Sequence, residues 1–248
     1  MDGFITLFNF GMKKRIKDSF IIGYGVMMPL LMIIILGYMA SNYYTGENGI
    51  TSYYYYALVT IPLCTFLNTI TLIYVAREES NYKCGERFMI APISKISIVL
   101  SKIIPSTISI SIFNIILMGI CKLLFKVDFR GKFLEVILLL TILSFMSCAI
   151  GIFIGLCTKD FMTIKDFIST PILIMGVLGG SFFPIGSLGK VMEAVSYISP
   201  LTWINKGIFI MLNDNSMRIY IIALILTLSI GILFTIGAIK KFKKEAFL

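Results

Sequence analysis

The pattern of hydrophobic and charged positions divides the chain into six long stretches without charge. Crossing the hydrocarbon core of a bilayer takes about 20 apolar residues as a helix, and each stretch is long enough to hold one such helix. Strands of a transmembrane barrel would alternate over about 10 residues, and these stretches do not alternate. The pattern therefore predicts an all-α integral membrane protein, with one transmembrane domain over residues 1–248. The predicted spans lie at about residues 20–40, 55–76, 103–124, 136–157, 165–185 and 219–239.

A shorter charge-free run from Ala194 to Asn205 is predicted to enter the membrane without crossing it. The run has about 12 residues, which is too short for a span and typical of a re-entrant or interfacial segment. Proline disfavours a continuous helix; Pro184 precedes the run and Pro200 lies within it. We therefore predict a re-entrant segment at about residues 190–207, before the last span.

The N-terminus carries apolar residues near helical spacing, among them Phe4, Leu7 and Met12, followed by the basic cluster Lys13 to Lys17. This pattern favours an amphipathic helix at about residues 4–18 that lies on the membrane surface, and a flexible N-terminus is the alternative. The apolar stretch that follows is too long for a signal peptide core. It is interpreted as an uncleaved first span.

Composition agrees with a membrane protein. Hydrophobic residues make up 58% of the chain and charged residues 14%, against about 25% charged residues in soluble domains. A soluble enzyme and a nucleic-acid-binding domain are therefore disfavoured despite the net charge of +9. The expected environment is the lipid bilayer, and no nucleic-acid partner is expected.

The distribution of Lys and Arg predicts the orientation. With the N-terminus inside, six spans return the C-terminus to the inside, and 15 of the 22 Lys and Arg residues then lie on the inner side. The positive-inside rule favours this arrangement, with both termini cytoplasmic. The basic loop from Lys122 to Lys132 is then an exception on the outer side. Its side chains could snorkel at the end of a span, or they could bind an anionic lipid or substrate.

The sequence offers little chemistry for catalysis. It has no His, so Ser–His and Cys–His nucleophiles and HExxH zinc sites are excluded. The segment that ends at Lys190 is not a phosphate-binding loop, because Val191 stands where Ser or Thr is required. We predict no catalytic residue, no metal site and no bound cofactor in this chain. If it moves a substrate uphill, another protein is expected to supply the energy.

The segment 77–95 lies on the predicted inner side and is a candidate for contact with a partner protein. It reads REESNYKCGERFMIAPISK. A short amphipathic helix of this kind could dock in a groove of a partner, or the segment could be an ordinary solvated loop. The charged and apolar residues that could dock on such a partner are Arg77, Glu78, Glu79, Glu86, Arg87, Phe88, Met89 and Pro92.

Two regions carry a resemblance to a known family. The segment 77–95 resembles the second inner segment in the membrane subunits of type-2 ABC exporters, although Lys83 and Cys84 stand where that family often has Gly and Thr. The residues that carry this resemblance are Arg77, Glu78, Arg87, Phe88, Met89, Pro92 and Ser94. Gly179 to Pro184 and Ser199 to Trp203 resemble the family's segment after its fifth span, where short helices dip into the outer leaflet. In this chain the matching residues of that segment are Phe183, Pro184, Pro200 and Trp203.

The resemblance implies a permease subunit in a bacterial plasma membrane. It would pair with a second permease copy, identical or different, and with two ABC ATPase subunits, which would bind the ATP and Mg. The resemblance also implies that the segment 77–95 is a loop that couples the spans to these ATPases. A drug, an antimicrobial peptide or a lipid-like molecule is the expected exported substrate. Two alternatives stay open: an export permease for polysaccharide or lipid-linked glycan, and a non-transporting membrane immunity or sensor subunit.

Polar residues near the middle of the predicted spans are candidates for a translocation path. They are Thr65, Asn68, Ser111 and Asn114. A polar group in lipid needs a partner, so these side chains could line a path or could form hydrogen bonds between helices. Gly151 and Gly155 form a GxxxG pair that permits close helix packing, and packing inside the subunit is favoured over a dimer interface.

Overall fold

The computed structural model describes residues 2–42, 51–76, 93–158, 161–184 and 189–242, and every regular element within these ranges is helical. This confirms the all-α prediction for the part of the chain that is described. The helices are α1 Asp2–Ile16, α2 Ser19–Met39, α3 Ser52–Ala76, α4 Lys95–Leu124, α5 Phe133–Cys157, α6 Phe161–Leu178, α7 Lys190–Ser196, α8 Pro200–Asp214 and α9 Arg218–Lys241.

Five of these helices are long and apolar enough to cross a membrane, namely α2, α3, α4, α5 and α9. The stretch predicted as the fifth span differs. Helix α6 ends at Leu178 rather than near residue 185, because the glycine pair Gly179–Gly180 follows and Gly180 has a φ of +76°, which favours glycine. The apolar part of α6, Phe167–Leu178, is shorter than a span requires. Six spans therefore remain a prediction.

Helix α2 contains one π-helical turn, over Gly23–Met27. The turn directly precedes Pro29, which has no backbone N–H and whose ring would clash with the carbonyl group four residues earlier. A π turn shifts the hydrogen bonds by one residue, so the helix continues through the proline to Met39.

Helix α3 is the centre of the bundle. In the most apolar stretch of α3, 94% of the residues are buried inside the structure, against 28% of the residues in the corresponding stretches of α2 and α9. The outer helices instead expose large apolar side chains, such as Ile35 on α2 and Leu233 on α9. A helix that is apolar all round belongs in a core, and the exposed rows are suited to lipid.

Close packing of α5 on α3 depends on the GxxxG pair. A Cβ atom at Gly151 would lie 2.5 Å from the carbonyl oxygen of Thr69, and one at Gly155 would lie 2.5 Å from that of Ile73. Only glycine permits this approach of the two backbones. The prediction that this pair packs inside the subunit is therefore confirmed.

The N-terminal helix begins at Asp2 and ends at Ile16, close to the predicted 4–18. It lies against the first half of α4, where a Cβ atom at Gly11 would be 3.1 Å from the carbonyl oxygen of Ser101. The helix is thus present, whereas its position at a membrane surface stays a prediction.

Two apolar clusters fill the bundle, one toward each end. We call these ends the Ala76 end, where α3 stops and α4 starts, and the Phe125 end, where α4 stops and α5 starts. Among these apolar residues lies a group of buried polar side chains from α3, α4 and α5, which we call the polar layer and which includes Thr65, Asn68, Asn114, Ser144 and Ser147. Asn68 and Asn114 are both buried in this layer, and their position at mid-membrane stays a prediction.

Candidate functional site

The predicted coupling residues lie outside the described part of the chain. These are Arg77, Glu78, Glu79, Glu86, Arg87, Phe88, Met89 and Pro92. The structure describes the two helix ends that flank them. Helix α3 ends at Ala76, and α4 begins after Ser94, whose Oγ accepts a hydrogen bond from the backbone N–H of Ser97 at 3.1 Å. This N-cap fixes where α4 starts.

Lys102 connects these two helix ends. Its side chain reaches from α4 to the end of α3, where Nζ donates to the carbonyl oxygen of Ala76 at 2.7 Å and to that of Val75 at 3.4 Å. The residue is only 8% exposed. The last carbonyl groups of a helix have no partner within the helix, and a cation there also interacts favourably with the helix dipole. Lys102 therefore fixes the residue from which the predicted coupling loop departs.

The polar layer is organised around Asn114 of α4. Its Oδ1 lies 3.1 Å from the hydroxyl oxygen of Thr65 on α3, and its Nδ2 donates to Ser144 Oγ on α5 at 3.4 Å. Ser144 in turn donates to the carbonyl oxygen of Leu140 in its own helix at 2.8 Å. The single hydrogen of the Thr65 hydroxyl is shared between Asn114 Oδ1 and the carbonyl oxygen of Ile61, which lies 2.8 Å away in its own helix. Asn114 thus joins three helices, which is the interhelical hydrogen bonding that the sequence left open as one alternative.

The other two path candidates make contacts within their own helices. Asn68 is fully buried, its Nδ2 donates to the carbonyl oxygen of Cys64 at 3.3 Å, and its Oδ1 has no hydrogen-bond partner among the described residues. Ser111 donates to the carbonyl oxygen of Thr107 at 2.8 Å. Asn68 therefore has unused hydrogen-bonding capacity in the middle of the bundle.

The predicted re-entrant segment consists of two short helices, α7 Lys190–Ser196 and α8 Pro200–Asp214. Pro200 is the first residue of α8, where its missing N–H has no cost. Trp203 donates from Nε1 to the carbonyl oxygen of Tyr197 at 3.0 Å, so the turn between the helices is fixed by an aromatic pair. Phe183 and Pro184 are exposed after the end of α6.

Side chains from α3 and α8 cap the end of α6 and the glycine turn after it. Ser199, the residue before α8, donates to the carbonyl oxygen of Met175 at 2.8 Å, and Asn205 on α8 donates to that of Gly179 at 2.7 Å. The single hydrogen of the Thr202 hydroxyl is shared between the carbonyl oxygens of Ser196 at 2.6 Å and Leu178 at 3.0 Å. On α3, Tyr55 and Tyr56 donate to the carbonyl oxygens of Gly180 and Phe182 at 2.7 and 3.1 Å. Irregular backbone at membrane depth is tolerated only where such partners exist.

The basic loop between α4 and α5 has a structural role at the Phe125 end. Lys132 Nζ donates to the carbonyl oxygen of Met211 at 2.7 Å and also to Asn215 Oδ1, and Arg130 donates to the carbonyl oxygen of Leu212 at 3.4 Å. Both cations therefore lie at the C-terminus of α8, where cations are favourable. Lys122 and Lys126 are exposed. Arg130 and Lys132 thus have partners within the bundle. For the exposed Lys122 and Lys126, snorkelling and the binding of an anionic group stay open.

A cavity of about 240 Å³ lies between the first turns of α3, the end of α6 and the inner face of α8. At its edge Lys206 Nζ donates to Glu193 Oε1 and to the hydroxyl oxygen of Tyr197, each at 2.9 Å. The hydrogen bond from Lys206 and its charge lower the pKa of the exposed Glu193 carboxyl below its ordinary value. The ammonium also lies 4.2 Å from the centre of the Tyr197 ring.

Sequence reasoning missed Lys102, Lys132, Tyr55 and Asn205 as organising residues. The partners of all four are backbone carbonyl groups, which any residue type provides, so no pairing appears in the sequence. Asn205 alone left a signal, since it is an amide at the end of the short charge-free run.

The comparisons with known proteins agree with this architecture. A family model described as ABC-2 type transporter matches residues 2–213. This range includes α1 to α7, all of α8 except its last residue, and the predicted coupling segment. No curated protein matches the chain.

Proposed function

Because the chain belongs to the ABC-2 type transporter family, we propose that it is the permease subunit of an ATP-driven exporter. The family membership makes it a membrane component of a transporter, and the apolar helices make it a multi-pass membrane protein. Members of this family associate with ABC ATPase components, and the permease is generally not catalytic itself. The match over residues 2–213 carries the proposal.

The proposed assembly has two permease subunits, of which this chain is one, and two ATPase subunits that bind ATP and Mg. Six spans with both termini in the cytoplasm are proposed for each permease, in a bacterial plasma membrane. The inner-side excess of Lys and Arg supports this orientation. In it, the Ala76 end faces the ATPases and the Phe125 end faces outward.

The segment 77–95 is proposed to receive the movement of the ATPases. Lys102 supports this role, because its bond to Ala76 joins both helices that flank the segment. A displacement of the segment would thus act on α3 and α4 together. Since α3 is the central helix of the bundle, such a movement reaches most of the other spans.

The proposed cargo is an amphipathic molecule, such as a drug, an antimicrobial peptide or a lipid-like substrate. Asn68 supports a polar contact on its route, because its Oδ1 lacks a partner among the described residues. Thr65, Ser111 and Asn114 already have the contacts described above, so Asn68 is the first of the four candidates to test.

The test is purification of the permease with candidate ATPases, followed by ATP hydrolysis in lipid vesicles. We expect Glu79→Gln with Arg87→Gln to reduce coupled hydrolysis or assembly. The matched control is Asp214→Asn with Arg218→Gln, which changes one acid and one base at the other end of the bundle, where both residues are exposed. Unchanged hydrolysis, assembly and export in the first double variant would contradict the coupling role. Failure to assemble with any ATPase would contradict the export function.

A further inference from the structure

The cavity beside α8 has the character of a binding site for a small polar group. Aromatic and apolar side chains of α3 and α8 line it, among them Tyr55, Val59, Phe209 and Ile210, and Lys206 and Glu193 lie at its partly exposed edge. Its volume of about 240 Å³ is below the range of roughly 300–1,000 Å³ that is typical of sites for whole drug-sized ligands. The head group of a larger amphipathic molecule is a better fit than an entire drug.

A buried acceptor without a partner points to the ligand's chemistry. Asn205 lines the cavity and is only 3% exposed. Its Nδ2 donates to the carbonyl oxygen of Gly179, which fixes the orientation of the amide, and its Oδ1 then has no hydrogen-bond partner among the described residues. Leaving a buried acceptor unpaired costs free energy. The occupant should therefore bring an N–H or O–H donor.

The edge of the cavity offers a complementary donor. A lysine ammonium has three N–H donors, and the contacts of Lys206 use two of them, toward Glu193 and Tyr197. The remaining N–H is available to an anionic group. Since Glu193 balances the charge of Lys206, the edge has almost no net charge and gives no strong attraction to a simple anion.

We propose that the cavity binds the head group of a zwitterionic phospholipid that carries a primary ammonium, as in phosphatidylethanolamine. The ammonium donates to Asn205 Oδ1, the phosphate accepts from Lys206, and the acyl chains stay in the bilayer. Tyr197 and Trp203 beside the cavity are residue types that favour the membrane–water interface, which is where such head groups lie. This inference rests on the proposed function only in placing the Phe125 end at a membrane surface, and it holds for either orientation.

Trp203 provides the readout, because the chain contains one Trp. Its ring centre lies 5.2 Å from that of Tyr197, which in turn contacts Lys206. Lipids with brominated acyl chains quench tryptophan on contact. The full-length protein is reconstituted in symmetric vesicles that contain brominated phosphatidylethanolamine or brominated phosphatidylcholine in a background of the other, unlabelled lipid.

We expect the ethanolamine lipid to quench Trp203 with roughly fivefold or higher apparent affinity, the preference that one hydrogen bond supplies. The choline head group has the same charge as the ethanolamine head group but no N–H. The comparison of the two lipids therefore measures the contribution of the N–H donor. An N,N-dimethylethanolamine lipid, which keeps one N–H, should retain most of the preference. If it behaves as choline does, head-group size rather than hydrogen bonding decides, and the assignment to Asn205 is wrong.

Variants locate the effect in the cavity. Lys206→Gln removes the contact to the phosphate that both lipids carry, so it should weaken quenching by both. Lys190→Gln, which changes an exposed lysine at the start of α7, should leave both intact. Asn205→Leu should abolish the preference for the ethanolamine lipid, although it removes the bond to Gly179 as well. The preference is the ratio of the apparent affinities for the two lipids, and it is measured within each variant. A change in Trp203 brightness therefore does not affect it.

Equal quenching by both lipids in the unmodified protein would overturn the proposal and would mean that water alone occupies the cavity. Stronger quenching by an anionic lipid such as phosphatidylglycerol would also overturn it, in favour of an anion site. Neither result bears on coupled ATP hydrolysis, so a failure here is distinguishable from a failure of the proposed function.

Discussion

The Nζ atom of Lys102 lies 2.7 Å from the carbonyl oxygen of Ala76, the last residue of α3. The two residues are 26 positions apart, and the segment between them contains the predicted coupling loop. One buried cation therefore closes the loop at the point where it meets the membrane bundle. The same contact therefore contributes to the stability of the bundle and, in the proposed function, to its coupling with the ATPases.

We expect Lys102→Met to lower the free energy of unfolding by about 1.5–3 kcal/mol, the usual contribution of a hydrogen bond to a charged group. The carbonyl groups of Val75 and Ala76 would lose this donor while they stay buried. Reversible unfolding in mixed detergent measures the stability, and ATP hydrolysis by the assembled complex measures coupling. Lys122→Met, at the exposed far end of the same helix, is the control and should change neither by much. Equal stability of the two variants would contradict the capping role.

Asn114 and Asn68 should respond differently to replacement by leucine. Asn114→Leu removes two hydrogen bonds between helices, each worth about 0.6 kcal/mol on average within membranes, so we expect a loss of about 1 kcal/mol. Thr65 and Ser144 keep their bonds to carbonyl oxygens in their own helices, which limits the cost. Asn68→Leu removes a buried acceptor that is unpaired among the described residues, so its stability should be unchanged or slightly higher.

Transport by the same two variants tests the path. If Asn68 contacts the substrate, Asn68→Leu should alter the substrate range while it leaves unfolding and assembly unchanged. An unaltered range, with unchanged stability, would assign Asn68 no part in the path. The comparison needs both measurements, because a loss of transport alone would not separate a path residue from a packing residue.

Gly155→Ala should destabilise the protein by about 1–3 kcal/mol, as overpacking of a core typically does. The added Cβ atom would lie 2.5 Å from the carbonyl oxygen of Ile73 and from the Cβ atom of Ala76, so α3 and α5 would have to separate. Gly119→Ala is the control, because nothing lies within 4 Å of its position on α4. It should be neutral or stabilising by up to about 1 kcal/mol, the difference in helix propensity. Similar unfolding curves for both variants would show that the helices do not pack this closely.

The ion pair of Glu193 and Lys206 should break at acidic pH. Lys206 lowers the pKa of Glu193 below its ordinary value of 4.5, so the contribution of the pair is present above that value and is lost as the pH falls through the lower value of the folded protein. Trp203 fluorescence should change in this acid range, since Tyr197 links the pair to the tryptophan. Glu193→Gln should lack the transition, and Asp214→Asn, an exposed acid on α8, should retain it.

The glycine turn after α6 was only partly predictable from the sequence. The sequence predicted a break before the re-entrant segment, because Pro184 and Pro200 disfavour a continuous helix. It also extended the preceding span to residue 185, because nothing charged occurs there. The structure ends α6 at Leu178, since Gly180 adopts a left-handed conformation and side chains of α3 and α8 provide partners for the carbonyl groups that this end releases.

The sequence by itself determined the helical class, the positions of the long apolar helices and the short segment before the last one. These features follow from local composition, because each stretch partitions into a bilayer largely on its own apolar content. Only the tertiary structure decided which polar residues organise the bundle. Lys102 and Lys132 bind backbone carbonyl groups 26 and 79 positions away, and Asn205 reaches Gly179 across the turn. Every residue carries a carbonyl group, so these partners become specific only when folding brings one helix end to one side chain.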